Sequence, residues 1–134
     1  VWIPMVDVDP HCGCLQVLPG ITSHGLLQHE AEGGTRIKPY LMPEVEPYDC
    51  IMKRGDLLFM SAYTPHRGQP NHSDFVRWTM DLRFQKTGTP TGRPAHPEFI
   101  IRSAKGSVQD GYNEWCRRWI EGIEAGKGIR HHRV

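Results

Sequence analysis

The feature that most constrains the fold is the alternation of polar and apolar residues between positions 77 and 84. The apolar set is Trp78, Met80, Leu82 and Phe84, and the polar set is Arg77, Thr79, Asp81 and Arg83. A period of two residues is typical of a β-strand with one packed face. The polar face of such a strand either meets solvent or lines the interior of a small barrel, and the pattern is consistent with both.

Short runs of strand-forming residues, separated by turn formers, fill much of the remaining first half. Residues 1–8 and 14–18 are such runs, each closed by Pro and Gly, and their proximity in sequence predicts a hairpin. Residues 50–62 predict a strand, a turn at Gly55 and Asp56, and a buried apolar strand through positions 57–60. The sequence therefore predicts a mainly β fold.

Two further segments depart from the strand pattern. Residues 21–47 show no sustained period, and a loop of this length usually carries function, so we expect a lid there. Residues 86–99 are rich in Pro, Gly and Thr and are expected to wrap around the sheet. An amphipathic C-terminal helix is predicted from an apolar stripe at three- and four-residue steps: Tyr112, Trp115, Trp119 and Ile123. Asp110 is expected to cap its start and Gly126 to end it.

Length and composition narrow the class of protein. A chain of 134 residues suits one domain, and its 16 basic and 15 acidic residues are scattered, which argues against nucleic acid as a partner. No apolar run is long enough to cross a membrane, and no secretory leader is visible, so we expect a cytoplasmic protein whose four cysteines are reduced thiols. The chain begins at Val1, inside a strand-like run, so we expect that the natural start lies further upstream.

The pair with the clearest chemical meaning is His66 and Arg77. His66 follows an apolar strand, and Arg77 begins the next strand eleven positions later. We expect a hairpin to bring the two side chains to one pocket. An imidazole can bind a metal ion there, and a guanidinium can hold a carboxylate through two hydrogen bonds.

Two segments around this pair resemble signatures of the phytanoyl-CoA dioxygenase family of non-haem iron oxygenases. Residues 2–20 resemble the family's tryptophan strand, its Asp-rich turn and a Gly-Cys-Leu stretch that ends in Leu-Pro-Gly. Residues 53–71 resemble the Gly-Asp strand, the metal histidine at His66 and a trailing asparagine, and Arg77 follows where the family has its arginine. The resemblance extends from Trp2 to Phe84.

The resemblance implies a double-stranded β-helix, which is a cupin-like jelly roll, with residues 1–85 supplying strands and residues 86–134 the wrap and terminal helix. Such a domain holds Fe(II) through two histidines and one carboxylate and leaves positions open for cosubstrate and oxygen. His66 is implied to be one iron ligand, and Arg77 the anchor for the distal carboxylate of 2-oxoglutarate. The implied activity is hydroxylation of a small organic molecule with molecular oxygen.

The resemblance also assigns supporting residues. Where the family often has a serine that helps to hold the cosubstrate, this chain has Gly68, so we expect Thr79 to assist Arg77 instead. Independently of the resemblance, Trp2 is expected either to line the substrate pocket or to belong to the core. Arg83 is expected either to pair with Asp81 on the same strand face or to line the pocket.

The family's other two iron ligands form a His-x-Asp pair that lies upstream of the tryptophan strand. The chain's own His-x-Asp, residues 72–74, falls in a turn-forming stretch between His66 and Arg77, and we interpret it as coincidental. We therefore expect a single partial dioxygenase domain over 1–134. The main alternative is a cupin-like barrel that binds a small ligand without oxidising it, and a cupin-type isomerase or epimerase is a third possibility.

Overall fold

The computed structural model of the chain describes residues 1–30, 36–92, 95–106 and 111–127. These residues fall into two compact units, one of residues 1–84 and one that begins at residue 85. The described residues form short strands and one C-terminal helix, so the mainly β prediction is confirmed at this level. The single-domain organisation stays a prediction.

The described residues of the first unit form seven short strands. They are β1 (Trp2–Pro4), β2 (Leu15–Val17), β3 (His29–Glu30), β4 (Arg36–Ile37), β5 (Tyr48–Asp49), β6 (His66–Gly68) and β7 (Thr79–Asp81). Two short 3-10 helices, Thr22–His24 and Pro39–Leu41, interrupt the segment between β2 and β5. Among the described residues the strands do not close into a barrel, so the jelly roll stays a prediction.

The first of the larger sheets pairs β1 with β7. The strands are antiparallel, with Trp2 opposite Asp81 and Pro4 opposite Thr79. On its other side β1 forms a bridge between Trp2 and Leu58, in which each backbone N–H donates to the other residue's carbonyl at 2.9 Å. Strand β1 is therefore held between two segments that are distant from it in sequence.

The second sheet has the order β5-β2-β6 and is antiparallel throughout. Val17 of β2 lies opposite both Tyr48 of β5 and His66 of β6. The predicted hairpin between β1 and β2 is wrong, because these strands join different sheets. The turn residues between them end one strand and redirect the chain, but they do not determine which strands pair.

The core of the first unit lies between these two sheets. The buried members of its main cluster are Trp2, Val8, Cys12, Cys14, Leu15 and Cys50. All four cysteines are free, and burial raises the pKa of the Cys14 and Cys50 thiols, since a thiolate is poorly solvated there. These thiols act as small apolar residues of the core.

The apolar side of the β7 segment was expected to be its packed side, but the structure buries the polar side more. Its apolar side is open to solvent among the described residues, with Trp78 67% exposed, whereas Arg77 and Thr79 on the polar side are half-buried. The run 57–60 was expected to be fully buried, but Phe59 is 72% exposed and only Leu58 and Met60 pack against the core. The polar face of β7 is the inward face.

The segment between β2 and β5 carries its own hairpin. Strands β3 and β4 pair only with each other among the described residues, and an ion pair between Arg36 and Glu30 closes the pair at 2.5 Å. The start of the segment lies beside the residue before β6, because Leu18 N–H donates to the Pro65 carbonyl, whereas its end leads into β5 on the other side of β2. The expected lid role stays a prediction.

The second unit contains α1 (Tyr112–Ala125). Gly126 ends the helix as predicted, Gly111 precedes its first turn, and the expected cap Asp110 lies outside the described residues. Within this unit Trp115 and Trp119 pack against Phe99. Their ring centroids lie 6.4 and 6.3 Å, respectively, from the centroid of the Phe99 ring. No helix in the described ranges is long and apolar enough to span a membrane.

A matched pair of glycines tests the close approach of the turn before β2 to the segment after β6. Gly13 and Gly20 both have φ of +77°, but a Cβ at Gly13 would lie 2.6 Å from the Gln69 carbonyl oxygen, whereas one at Gly20 meets nothing within 4 Å. Gly13→Ala should lower the free energy of unfolding in urea by at least about 2 kcal/mol, and Gly20→Ala by about 1 kcal/mol. Equal losses would contradict the close contact.

Candidate functional site

His66 begins β6 on the core-facing side of the three-stranded sheet. Residues that lie opposite each other in antiparallel strands point to the same side, and His66 lies opposite Val17 while Gly68 lies opposite the buried Leu15. His66 and Gly68 are two positions apart, so they share this side. The His66 ring is exposed at the edge of that face.

The His66 ring has a defined orientation. Its Nδ1 lies 2.9 Å from the Thr64 backbone carbonyl oxygen. A carbonyl oxygen only accepts hydrogen bonds, so Nδ1 carries the proton and donates. In a neutral imidazole this leaves the lone pair on Nε2, which is the arrangement that histidine ligands of metal ions usually have.

Arg77 reaches from the β7 segment into the space between the two sheets. Its Cζ lies 5.7 Å from the centroid of the Trp2 ring, within the range of a cation–π contact. Its Nη2 lies 3.6 Å from the position that a Cβ would occupy on Gly68. Arg77 therefore touches β1 of one sheet and β6 of the other.

The hairpin that was expected to bring His66 and Arg77 to one pocket is wrong, and their shared pocket stays a prediction. Strands β6 and β7 do not form a hairpin but belong to separate sheets. Arg77 lies against Gly68, on the side of β6 that also carries His66. The two residues thus lie on the same side of β6, although they come from different sheets.

The guanidinium of Arg77 lacks a counterion within the part of the chain that the structure describes. Three other arginines of the first unit do have acidic or amide partners: Arg36 with Glu30, Arg83 with Asp81, and Arg67 with Gln16. Arg77 is half-buried and contacts the Trp2 ring instead. Because burying a cation without a partner is costly, this position favours an anionic ligand.

Gly68 and Thr79 determine the immediate surroundings of Arg77. Gly68 leaves room beside the guanidinium, because its missing side chain is the one that would touch Nη2. Thr79 is half-buried opposite Pro4, on the same side of β7 as Arg77. Its hydroxyl is the nearest polar side-chain group along the strand on that side.

The two expected pocket residues lie in different environments. Trp2 is 4% exposed and forms the platform under Arg77. Arg83 lies beyond the end of β7 with its side chain 78% exposed, and it donates to Asp81 at 3.0 Å. The structure gives Arg83 this local ion pair, and its role in a pocket stays a prediction.

A row of polar side chains on the opposite face of the three-stranded sheet was not anticipated from the sequence. Gln16 accepts a hydrogen bond from Arg67 at 2.8 Å and donates to Asp49 at 2.9 Å, and Gln69 donates to the same carboxylate oxygen at 3.0 Å. These bonds cross β5, β2 and β6 and support the register that puts His66 on the core-facing side. The row could not be seen in the sequence, because its members come together only when strands that are distant in sequence pair.

The chain's own His-x-Asp, residues 72–74, lies in a turn, and the Asp-rich turn before β2 is closed by a hydrogen bond of its own. Within residues 72–74 the Ser73 N–H and hydroxyl both donate to Asn71, which closes a turn. Asp9 accepts from the Cys12 N–H at 3.0 Å, which closes the turn before β2. In the described ranges no three His, Cys, Asp or Glu side chains are grouped to hold a metal ion.

Comparison with known proteins gives one match. The family model described as phytanoyl-CoA dioxygenase (PhyH) matches residues 1–79, which is more than half of the chain and includes His66, Arg77 and Thr79. No curated protein and no solved structure matches significantly.

Proposed function

The chain belongs to the phytanoyl-CoA dioxygenase family, and from this premise we propose that it forms the cosubstrate half of an Fe(II)- and 2-oxoglutarate-dependent dioxygenase that hydroxylates a small organic molecule. We propose further that residues 1–134 are part of a single double-stranded β-helix domain. The observation that carries the proposal is Arg77, a half-buried cation on Trp2 and beside β6, without a carboxylate partner among the described residues.

The residues present fit one ligand of an iron site. His66 donates its Nδ1 proton to the Thr64 carbonyl, so Nε2 is available as a ligand. Iron with two histidines and one carboxylate keeps open positions for a cosubstrate and oxygen. When bound, iron, 2-oxoglutarate and oxygen together supply the oxidation of an unactivated C–H bond.

The side chains around Arg77 suit the distal carboxylate of 2-oxoglutarate. The guanidinium can donate two parallel hydrogen bonds to that carboxylate, and it lies within cation–π range of the Trp2 ring. Thr79 lies on the same strand face and can donate a further hydrogen bond from its hydroxyl. In this proposal the arrangement orients the cosubstrate.

The proposal requires two further iron ligands from outside the described residues. Strand β6 is at the edge of its sheet, and its second edge has no partner among those residues. A further strand that pairs along this edge would lie directly beside His66. We expect the missing His-x-Asp ligands to be on such a strand.

Anaerobic titration of the full-length protein with Fe(II) and then 2-oxoglutarate tests the proposal. We expect a visible metal-to-ligand charge-transfer band in the wild type. His66→Gln should weaken iron binding by at least about 100-fold and remove the band, because a ligand is lost outright. His72→Gln is the matched control, since His72 is an exposed residue of the 71–75 turn, and it should keep the band.

The same titration separates this proposal from the binding-module alternative. The alternative gains support because no three His, Cys, Asp or Glu side chains among the described residues are grouped to hold a metal ion. A module of this kind would bind a carboxylate ligand at Arg77 equally well with and without Fe(II), and it would show no charge-transfer band. Wild-type protein that behaves in this way would sink the dioxygenase proposal.

A further inference from the structure

The segment just before His66 forms a turn that four hydrogen bonds close. The Thr64 N–H donates to the Ser61 carbonyl at 3.1 Å, and the Ser61 N–H donates to the Thr64 hydroxyl at 3.2 Å. The Tyr63 N–H donates to the Ser61 hydroxyl at 3.1 Å, and the two hydroxyls lie 3.2 Å apart. Residues 61–64 are therefore crosslinked by both side chains.

This turn supplies the only hydrogen-bond partner that the His66 ring has within the described ranges. The acceptor is the Thr64 carbonyl oxygen, 2.9 Å from Nδ1. The next residue, Pro65, accepts a hydrogen bond from the Leu18 N–H at 3.0 Å, and Leu18 is buried. The carbonyl that holds the His66 ring is thus fixed on one side by the turn and on the other by the core sheet.

We propose that Thr64 and Ser61 are positioning residues for His66. Their hydroxyls hold the Thr64 carbonyl in place, and that carbonyl selects the His66 tautomer with the proton on Nδ1 and the lone pair on Nε2. A looser carbonyl would let the ring rotate and move its proton to Nε2, which removes the lone pair from the side facing the site. The hydroxyls thereby act on metal binding through a ring that they do not touch.

The inference rests on the proposed role of His66 as an iron ligand, but the ring's tautomer can be measured without metal. Nitrogen-15 NMR of the histidine rings in metal-free protein distinguishes the two tautomers by the shifts of Nδ1 and Nε2. Spectra at about pH 8.5 keep histidine rings neutral, and His66→Gln identifies the His66 signals.

Thr64→Val is the decisive variant, because valine has the shape of threonine without its hydroxyl. We expect the ratio of the Nδ1-protonated to the Nε2-protonated His66 ring to fall at least about threefold, because two of the four hydrogen bonds that close the turn are lost. Thr64→Ser keeps a hydroxyl and should restore the native ratio. Thr89→Val, at an exposed threonine of the second unit, is the matched control and should change nothing.

Ser61→Ala provides a second path if Thr64→Val is unstable, since it removes the acceptor of the Tyr63 N–H and should shift the tautomer in the same direction. Iron titration of the full-length protein adds a readout, for which we expect Thr64→Val to weaken binding by about tenfold. A native tautomer ratio in both folded variants would overturn the inference. A shifted tautomer in a protein that binds no iron would support the positioning role and count against the proposed function instead.

Discussion

Replacing Arg77 with glutamine will weaken binding of 2-oxoglutarate to the Fe(II)-loaded full-length protein by about 100-fold. The reason is that the bound carboxylate would lose both a charge and a bidentate donor in a half-buried place, a change that typically costs about 2–5 kcal/mol. Glutamine keeps two of the three methylene groups of the arginine side chain and a polar end group, so most of the packing around β1 should remain. Isothermal titration calorimetry measures the change directly.

Arg83→Gln is the matched control for this prediction. Arg83 is six positions further along the same alternating segment, but its side chain is 78% exposed and paired with Asp81. Such surface pairs contribute little, so affinity for 2-oxoglutarate should change less than about twofold. If Arg83→Gln lost affinity and Arg77→Gln kept it, the anchor would have been assigned to the wrong arginine.

The alternation that predicted β7 illustrates what local sequence determines. It placed Arg77 and Thr79 on one side and Trp78 and Met80 on the other, and the structure confirms this division. It could not decide which side faces inward, because that depends on the segments packed against the strand. Here β1 presents the Trp2 ring to the polar side, and so that side became the interior.

Strand pairing could not be predicted from the sequence, for a related reason. Strands β1 and β2 are neighbours in sequence, and a hairpin was expected, yet β1 pairs with β7 about 75 residues away. Turn residues record where a strand ends, but the partner is set by which apolar faces can be buried together. The juxtaposition of Arg77 with Gly68 depends on that non-local packing.

Single residues with strong chemical roles were easier to identify than the residues that hold them. His66 and Arg77 stood out because their types and spacing match a known chemistry, and the family match includes both. Ser61 and Thr64 gave a weaker signal, since hydroxyl residues three positions apart are typical of many turns. Their relevance emerges only from the hydrogen bond between the Thr64 carbonyl and the His66 ring.

Trp2→Ala should lower the free energy of unfolding by about 3–5 kcal/mol, the range for removing a large aromatic side chain from a core. Trp2 is 4% exposed, packs with the buried core cluster and supports Arg77. A loss of this size is a large part of the stability of a small domain, so urea unfolding should show a strongly reduced midpoint.

Trp78→Ala provides the matched control, since it removes the same side chain from the opposite side of the β1–β7 sheet. Trp78 is 67% exposed, and such surface changes usually stay within about 0.5 kcal/mol. Trp2→Phe should keep most of the packing while weakening the platform under the guanidinium, because indole binds cations better than benzene does. Trp2→Phe should therefore reduce the affinity for 2-oxoglutarate while keeping most of the free energy of unfolding. Equal losses of stability in Trp2→Ala and Trp78→Ala would contradict an inward-facing polar side of β7.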